Sequence, residues 1–129
     1  MQPMDEAQFD MDGLLGDAHR APGSIRQVLL EDVETLEALG LQPGRVKENV
    51  TLRGVGVNEL PAGTRLTFGD VTLEITKECA PCDRMEEIRS GLKVELVGRR
   101  GVYARVTAPG RVRVGDPVSV EPALEEAGR

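Results

Sequence analysis

The two cysteines of this chain lie three residues apart in the segment KECAPCDRMEE, residues 77–87. A deprotonated thiol is a nucleophile and a soft metal ligand, so Cys79 and Cys82 are the first residues to consider for chemistry. A C-x-x-C spacing occurs in dithiol redox centres, in half-sites for zinc and in short disulfides. The spacing leaves four interpretations open: a redox pair, part of a metal site, a disulfide, or one working thiol with a bystander.

The only histidine, His19, lies in GLLGDAHR at residues 13–20. Together with Cys79 and Cys82 it would supply three zinc ligands, and a carboxylate would supply the fourth. Structural zinc sites usually combine two ligand pairs, whereas this chain has one. We therefore expect no tight zinc site, and the GDAHR segment is equally compatible with a tight turn.

Length and composition indicate one domain without membrane spans. The chain has 129 residues, of which 40% are hydrophobic and 29% charged, enough for one buried core. No apolar run approaches the roughly 20 residues that span a bilayer, and the acidic start MQPMDEAQFDMD lacks the features of a signal peptide. We expect a cytoplasmic protein, in which thiols stay reduced and a structural disulfide is disfavoured.

The charge of the chain is unevenly distributed. Its net value of −6 and its two Phe, one Tyr and absence of Trp argue against a nucleic-acid partner. Between residues 89 and 113, however, basic side chains are opposed by Glu95 alone. This run is compatible with a solvated basic face or with a pocket for a small anion inside an acidic protein. Its basic members are Arg89, Lys93, Arg99, Arg100, Arg105, Arg111 and Arg113.

The elements that must position the cysteines are predicted to be short strands with two short helices. A strand at 25–30 enters a helix at 31–39, and a second helix covers 84–89. A hairpin is predicted at 65–68 and 71–76, with a turn at Gly69-Asp70. Its second strand places Val71, Leu73 and Ile75 on one face, and further strands are predicted at 102–106, 111–114 and 118–120.

Fifteen glycines and eight prolines separate these strands. The pattern predicts a mainly β fold, one closed or nearly closed β-barrel with a few short helices. We expect a single domain over residues 1–129, with its core at about 12–120 and a frayed tail at 121–129. Thioredoxin-like chains place C-x-x-C in alternating β and α elements instead, so a C-x-x-C dithiol oxidoreductase is the alternative among redox interpretations.

Seven stretches, taken in order, resemble the MOSC domain, a family named after the C-terminal domain of molybdenum cofactor sulfurase. Each stretch is weakly specific alone, but the ordered set is highly specific and covers nearly the whole chain. The stretches are GLLGDAHR (13–20), RQVLLED (26–32), RVKENVTLRGV (45–55), LPAGTRLTFGDVTLEIT (60–76), CAPCDRME (79–86), GRRGVYARV (98–106) and RVRVGDPV (111–118).

The resemblance implies a MOSC-type β-barrel around one reactive cysteine. Relatives use that cysteine as a ligand to the molybdenum of the molybdopterin cofactor, or are proposed to carry sulfur on it as a persulfide. The family cysteine follows a proline, as Cys82 follows Pro81, which makes Cys79 the secondary thiol. Residues of the other stretches would line the pocket and hold the anionic cofactor: His19, Asn49, Tyr103, Arg105, Arg111 and Arg113.

The resemblance further implies a stand-alone MOSC protein that binds molybdenum cofactor or carries sulfur. One hypothesis is an enzyme, a molybdenum-cofactor-dependent oxidoreductase that reduces N-hydroxylated compounds with a redox partner protein. The other is a non-catalytic carrier of sulfur or cofactor. The chain offers no pyridoxal-phosphate lysine site, so sulfur would come from a separate donor such as a cysteine desulfurase. The start of the chain departs from the family, because it barely supplies the usual first strand and predicts an open barrel edge.

Overall fold

The computed structural model describes residues 6–15, 23–24, 26–42, 50–80, 83–113 and 115–122. Short strands dominate this part of the chain, which confirms the predicted mainly β, barrel-like fold with a few short helices. The strands are β1 (Glu6–Asp10), β2 (Gly13–Leu14), β3 (Val28–Asp32), β4 (Val50–Leu52), β5 (Arg65–Phe68), β6 (Val71–Glu78), β7 (Val102–Ala108), β8 (Gly110–Arg113) and β9 (Val118–Glu121). The helices are α1 (Val33–Ala38), α2 (Met85–Ile88) and α3 (Leu92–Glu95), and a 3-10 turn covers Val57–Glu59.

The described strands form a curled six-stranded sheet and a smaller three-stranded sheet. The larger sheet has the order β4-β3-β7-β6-β5-β9 and the smaller one the order β2-β1-β8. The β3–β4 pair is parallel, and the other pairs are antiparallel. The β6–β7 pairing is irregular between Thr72 and Leu73 and again between Ile75 and Lys77. Such irregularities increase the local twist of a strand and help the sheet to curl.

The hairpin of β5 and β6 forms as predicted and supplies one wall of the core. Val71, Leu73 and Ile75 alternate with more exposed residues and are buried. The turn requires glycine, because Gly69 has a φ of 59° and a Cβ there would lie 2.5 Å from the Arg111 carbonyl oxygen. The alternation that the sequence predicts for this strand is therefore confirmed.

Strand β7 lies between β3 and β6 in the larger sheet. Val102, Ala104 and Val106 are buried in the core, whereas Tyr103 is half-buried and Arg105 is exposed. This alternation agrees with the two-residue period expected from the sequence. One end of β7 consequently presents Tyr103 toward the segment that follows β6.

The helices are shorter than the sequence predicts. Strand β3 continues to Asp32 because residues 30–32 pair with β4, so α1 begins at Val33 rather than at residue 31. Helix α2 falls within the predicted 84–89, and α3 was not predicted. Together these helices bury a small apolar cluster of Leu36, Met85, Leu92 and Leu96 beside the main core.

The start of the chain supplies a first strand of five residues. Residues 6–10 form β1, which lies at the centre of the smaller sheet and pairs with both β2 and β8. Phe9 of this strand is 2% exposed and belongs to the main core. At the other end of the chain, Glu121 ends β9, and residues 123–129 of the predicted tail lie outside the described residues. No described helix has the length and hydropathy needed to cross a membrane.

Candidate functional site

The cysteine segment begins where β6 ends. The backbone N–H of Cys79 donates to the carbonyl oxygen of Gly101 at 3.0 Å, which continues the β6–β7 pairing by one residue. The Cys79 side chain is a free thiol, 5% exposed, and its sulfur lies 3.8 Å from the Ala80 carbonyl oxygen. Cys82 lies outside the described residues, so the structure gives the position of the secondary thiol alone.

Tyr103 lies beside Cys79 on the neighbouring strand. The guanidinium of Arg26 lies 5.6 Å from the centroid of the tyrosine ring, within cation–π range. Burial raises the pKa of Tyr103, the interaction with Cys79 adds to that increase, and the charges of Arg100 and Arg26 oppose it. The Tyr103 hydroxyl therefore stays protonated at neutral pH and can donate a hydrogen bond.

Arg100 is the unexpected member of this cluster. Its side chain is 5% exposed, and its Nε and Nη1 atoms are buried without a hydrogen-bond partner. Its positive charge opposes the increase in the pKa of Tyr103, and its backbone directly precedes Gly101, which bonds to Cys79. The preceding Arg99, in contrast, is exposed and donates from Nε and Nη2 to the Glu95 carbonyl oxygen at 3.0 and 2.7 Å.

Gly101 sets the path of the backbone between Arg100 and β7. Its φ is 108°, and a Cβ at this position would lie 2.4 Å from the Leu30 carbonyl oxygen. Its N–H donates to Asn58 Oδ1 at 2.9 Å, and its carbonyl oxygen accepts the bond from Cys79. Because only glycine tolerates this φ and this close approach, the residue fixes how Arg100 enters the cluster.

Two buried carboxyl groups hold the 3-10 turn against β3. Glu31 Oε1 accepts from Asn58 Nδ2 at 2.8 Å, and Asp32 Oδ1 accepts from the Val57 N–H at 3.0 Å. Burial raises the pKa of Asp32 above its ordinary 3.8, although backbone hydrogen bonds from Val57, Asn58 and neighbouring residues act in the opposite direction. Asn58 consequently links this carboxylate pair to Gly101 and, through Gly101, to Arg100 and Cys79.

The structure gives the surroundings of the three arginines that the sequence assigned to the pocket. Arg105 donates from Nε and Nη2 to Glu74 Oε1 at 2.9 and 2.6 Å on the exposed side of β7. Arg111 and Arg113 are exposed on β8, in the smaller sheet. Of the predicted site residues, Tyr103 and Cys79 lie at the paired ends of β7 and β6. His19, Asn49 and Cys82 lie outside the described residues, and the assignment of the whole set stays a prediction.

Arg100 is not among the site residues predicted from the sequence, although two features of the sequence pointed to it. The residue belongs to the basic run that suggested an anion pocket, and it directly precedes Gly101 in the matching stretch GRRGVYARV. Two adjacent arginines look equivalent in sequence, and only the fold separates the exposed Arg99 from the buried Arg100.

The described residues also form an open cavity near these strand ends, but it does not include the thiol, phenol and guanidinium of the site, and no cluster of metal ligands accompanies them. A cavity of about 360 Å³ lies against the strand ends, but its lining excludes Cys79, Arg100 and Tyr103. Within the described ranges, no group of three or more His, Cys, Asp or Glu side chains is arranged to hold a metal ion. The cluster of thiol, phenol and guanidinium is therefore the feature of the described chain with the clearest chemical character.

The fold and this cysteine segment define a class of small β proteins built on one curled sheet, and comparison with known families identifies the class. The family model of the MOSC domain matches residues 24–119. The chain belongs to the MOSC domain family.

Solved structures of similar fold include the YuaD protein from Bacillus subtilis, with a TM-score of 0.79 and 24% identity over 92% of this chain and 86% of that one. YiiM from Escherichia coli has a TM-score of 0.76 and 18% identity over 96% of this chain and 66% of that one. YiiM from Geobacillus stearothermophilus has a TM-score of 0.66 and 21% identity over 77% and 56%. At these identities the likeness concerns the fold. The comparison with curated proteins found no match.

Proposed function

We propose that this MOSC domain binds molybdenum cofactor through Cys82, in the cytoplasm. Family membership and the position of Cys82 directly after Pro81 support the proposal. Thiolate sulfur is a soft ligand of the kind that molybdenum accepts. The observation that carries the proposal is the buried guanidinium of Arg100, whose Nε and Nη1 have no hydrogen-bond partner. The next residue, Gly101, bonds through its carbonyl oxygen to the N–H of Cys79, at the start of the segment that contains Cys82.

The described residues fit an anionic cofactor of this kind. Molybdopterin carries a phosphate, and a buried cation without partners favours a negatively charged group beside it. The Tyr103 hydroxyl adds a hydrogen-bond donor, and Arg100 itself is only 5% exposed. Zinc fits less well, because the sequence offers a single pair of cysteines and one histidine, whereas structural zinc sites usually combine two ligand pairs.

In this proposal the residues of the chain bind and orient, and the cofactor supplies the redox chemistry. Cys82 would hold the metal, and Arg100 would neutralise an anionic group of the cofactor. Tyr103, protonated at neutral pH, would donate a hydrogen bond rather than remove a proton. When bound, the molybdenum centre would supply two-electron chemistry, of which reduction of N-hydroxylated compounds with a redox partner protein is the reaction we propose.

A second candidate is a carrier that takes up sulfur from a donor such as a cysteine desulfurase and turns nothing over. The observation in its favour is the free thiol of Cys79, which lies within a C-x-x-C at the end of β6. Sulfane sulfur moves to a thiolate by attack on the outer sulfur of a donor persulfide, with release of the donor thiolate. That transfer needs no metal and no further oxidant.

Metal and mass analysis of protein from a cofactor-competent host separates these functions. Molybdenum and pterin bound in stoichiometric amounts support the first, and a mass increase of about 32 Da, one sulfur atom, on a cysteine without metal supports the second. Cys82→Ser should abolish either signal, because a serine hydroxyl stays protonated and cannot hold sulfane sulfur. Cys79→Ser should reduce it only mildly. Equal loss in both variants would instead support a dithiol oxidoreductase, in which attack and resolution each require a thiol.

A further inference from the structure

Arg100 is buried in a way that its own protein surroundings do not explain. A guanidinium has five N–H donors and is strongly unfavourable when it is removed from water without acceptors. Two of its nitrogens, Nε and Nη1, nevertheless have no hydrogen-bond partner. The ion pairs found among the described residues involve Arg53, Arg89, Lys93 and Arg105, and none of them includes Arg100. A charge in this state indicates a ligand of opposite sign.

Tyr103, three residues after Arg100 in the chain, and Arg26 beside it also suit such a ligand. The Tyr103 hydroxyl is protonated and offers a donor, and the Arg26 guanidinium over its ring adds a second positive charge. Two nitrogens of Arg100 and this hydroxyl offer more hydrogen-bond donors than the single sulfur atom of a thiolate can accept, so a thiolate alone would not satisfy them. A tetrahedral oxyanion has several acceptor oxygens and satisfies them together.

The backbone around Arg100 is held in place without a ligand. The N–H of Gly101 donates to Asn58, and its carbonyl oxygen accepts from the N–H of Cys79. Leu30 leaves no room for a side chain at residue 101. The free donors are therefore preorganised, so an anion would bind without first ordering the backbone at Gly101.

We propose that Arg100, assisted by the Tyr103 hydroxyl, is the anchor of an oxyanion subsite that takes phosphate or sulfate, free or as the phosphate group of a larger ligand. The assignment moves the anion site away from Arg105, which is paired with Glu74, and away from the exposed Arg111 and Arg113. It rests on the proposed function only for the identity of the larger ligand, because binding of the oxyanion itself is a property of the cofactor-free chain.

The chain carries its own probe for this site. Tyr103 is the only tyrosine, and there is no tryptophan, so tyrosine fluorescence reports on this residue alone. Metal-free and cofactor-free protein is titrated with inorganic phosphate and with sulfate, while chloride keeps the ionic strength constant. We expect a saturable change in emission. Arg100→Gln should weaken the apparent affinity at least about 10-fold, as expected for the loss of charge-assisted hydrogen bonds. The adjacent Arg99→Gln is the matched control and should bind as the wild type does.

Thermal unfolding supplies a second test that does not depend on fluorescence. Without oxyanion, Arg100→Met should unfold at a higher temperature than the wild type, because an unpaired buried charge is replaced by an apolar side chain of similar length. Added phosphate should raise the unfolding temperature of the wild type and leave that of Arg100→Met unchanged. Arg100→Lys, which keeps the charge, should retain part of the phosphate response.

Several results would overturn the subsite. One is the absence of a saturable response in the wild type, and another is an equal response in Arg100→Gln and Arg99→Gln. A third is destabilisation of Arg100→Met by the same amount with and without phosphate, which would make Arg100 a structural residue. If phenyl phosphate binds more tightly than inorganic phosphate, the site takes the phosphate end of a larger ligand; equal affinities assign it to the free anion. Loss of molybdenum retention with an intact phosphate response would contradict the proposed function and leave the subsite standing.

Discussion

Asn58 is the residue whose replacement tests the architecture behind the site most directly. Its Nδ2 donates to Glu31 Oε1 at 2.8 Å, and its Oδ1 accepts from the Gly101 N–H at 2.9 Å. These two bonds connect strand β3 to the residue that precedes β7. Asn58→Ala removes both and leaves the Gly101 N–H without its acceptor.

The expected loss follows from these two bonds. A neutral hydrogen bond contributes about 1 kcal/mol net, and a bond to a charged group about 1.5–3 kcal/mol. Because Asn58 is only half-buried, water replaces part of this, and we expect the free energy of unfolding to fall by about 2–3 kcal/mol. For a chain of this size that corresponds to a decrease in unfolding temperature of roughly 6–12 °C.

Asn58→Asp sharpens the test, because aspartate is nearly isosteric and keeps the acceptor for Gly101. It replaces the donor toward Glu31 by an oxygen, so two carboxyl groups would face each other at the former hydrogen-bond distance. Like charges in such a pair raise a carboxyl pKa, and one of the two groups takes up a proton. Asn58→Asp should therefore be destabilised at pH 7 and recover part of its stability as the pH falls toward 5.

Urea and thermal unfolding of the three proteins, followed by circular dichroism and by Tyr103 emission, measures these effects. Gln8→Ala is the control, since it removes an amide from an exposed position of β1 and should change stability by less than about 0.5 kcal/mol. If Asn58→Ala is as stable as Gln8→Ala, the two hydrogen bonds of Asn58 do not contribute the stability assigned to them. If Asn58→Asp shows the same deficit at pH 5 and pH 7, like-charge repulsion with Glu31 is not its cause.

Three further predictions concern residues around the same core. Gly101→Ala should lower the unfolding temperature by at least about 5 °C, because strain at a positive φ adds to a clash with Leu30, whereas alanine at the open Gly98 should be milder by thermal unfolding. Gln27→Leu should cost about 2–4 kcal/mol in urea unfolding, because Oε1 of this buried side chain accepts a β7 N–H and its Nε2 donates to the Met11 carbonyl oxygen; wild-type stability would refute this. Because the pKa of Asp32 is raised in the folded state, the stability that its protonated form contributes is present below 3.8 and is lost as pH rises through the raised value. The unfolding temperature of Asp32→Asn relative to wild type should rise over that pH window and then level off, and a flat difference would contradict it.

The parts of the fold that the sequence predicted depend on local signals. The hairpin of β5 and β6 has both an alternating apolar face and a Gly69-Asp70 turn, so a few neighbouring residues suffice to predict it. Strand β1 offers no such signal, since EAQFD contains Phe9 as its single large apolar residue. This strand exists because β8, about 100 residues further along the chain, pairs with it. Sequence patterns within β1 carry no information about that partner.

The residues of the site likewise fall into those that local sequence patterns predict and those that they do not. Alternation along β7 correctly placed Tyr103 on the opposite face from Val102 and Ala104. Alternation fails one step earlier, because Gly101 has a φ of 108° and interrupts the extended backbone. The alternation of strand residues therefore cannot predict the orientation of Arg100. A basic residue is also ordinarily assigned to the surface. The charge run indicated an anion, but it did not single out Arg100, whose Nε and Nη1 have no hydrogen-bond partner in the described part of the chain.

The buried polar groups around Gly101, which include Asp32 and Arg100, lower the stability of the folded chain. The raised pKa of Asp32 means that its ionised form is less favourable in the folded chain, and Arg100 lacks partners for two of its nitrogens. Apolar replacements of similar volume are often more stable than buried charges, so packing alone does not account for these residues. Asn58 connects the two, since it bonds to the neighbour of Asp32 and to the neighbour of Arg100. We infer that the carboxylates, through Asn58, fix the backbone at Gly101 and so keep the donors of Arg100 free for a ligand. Binding of that ligand would then stabilise the folded chain and offset part of the cost of burying Arg100.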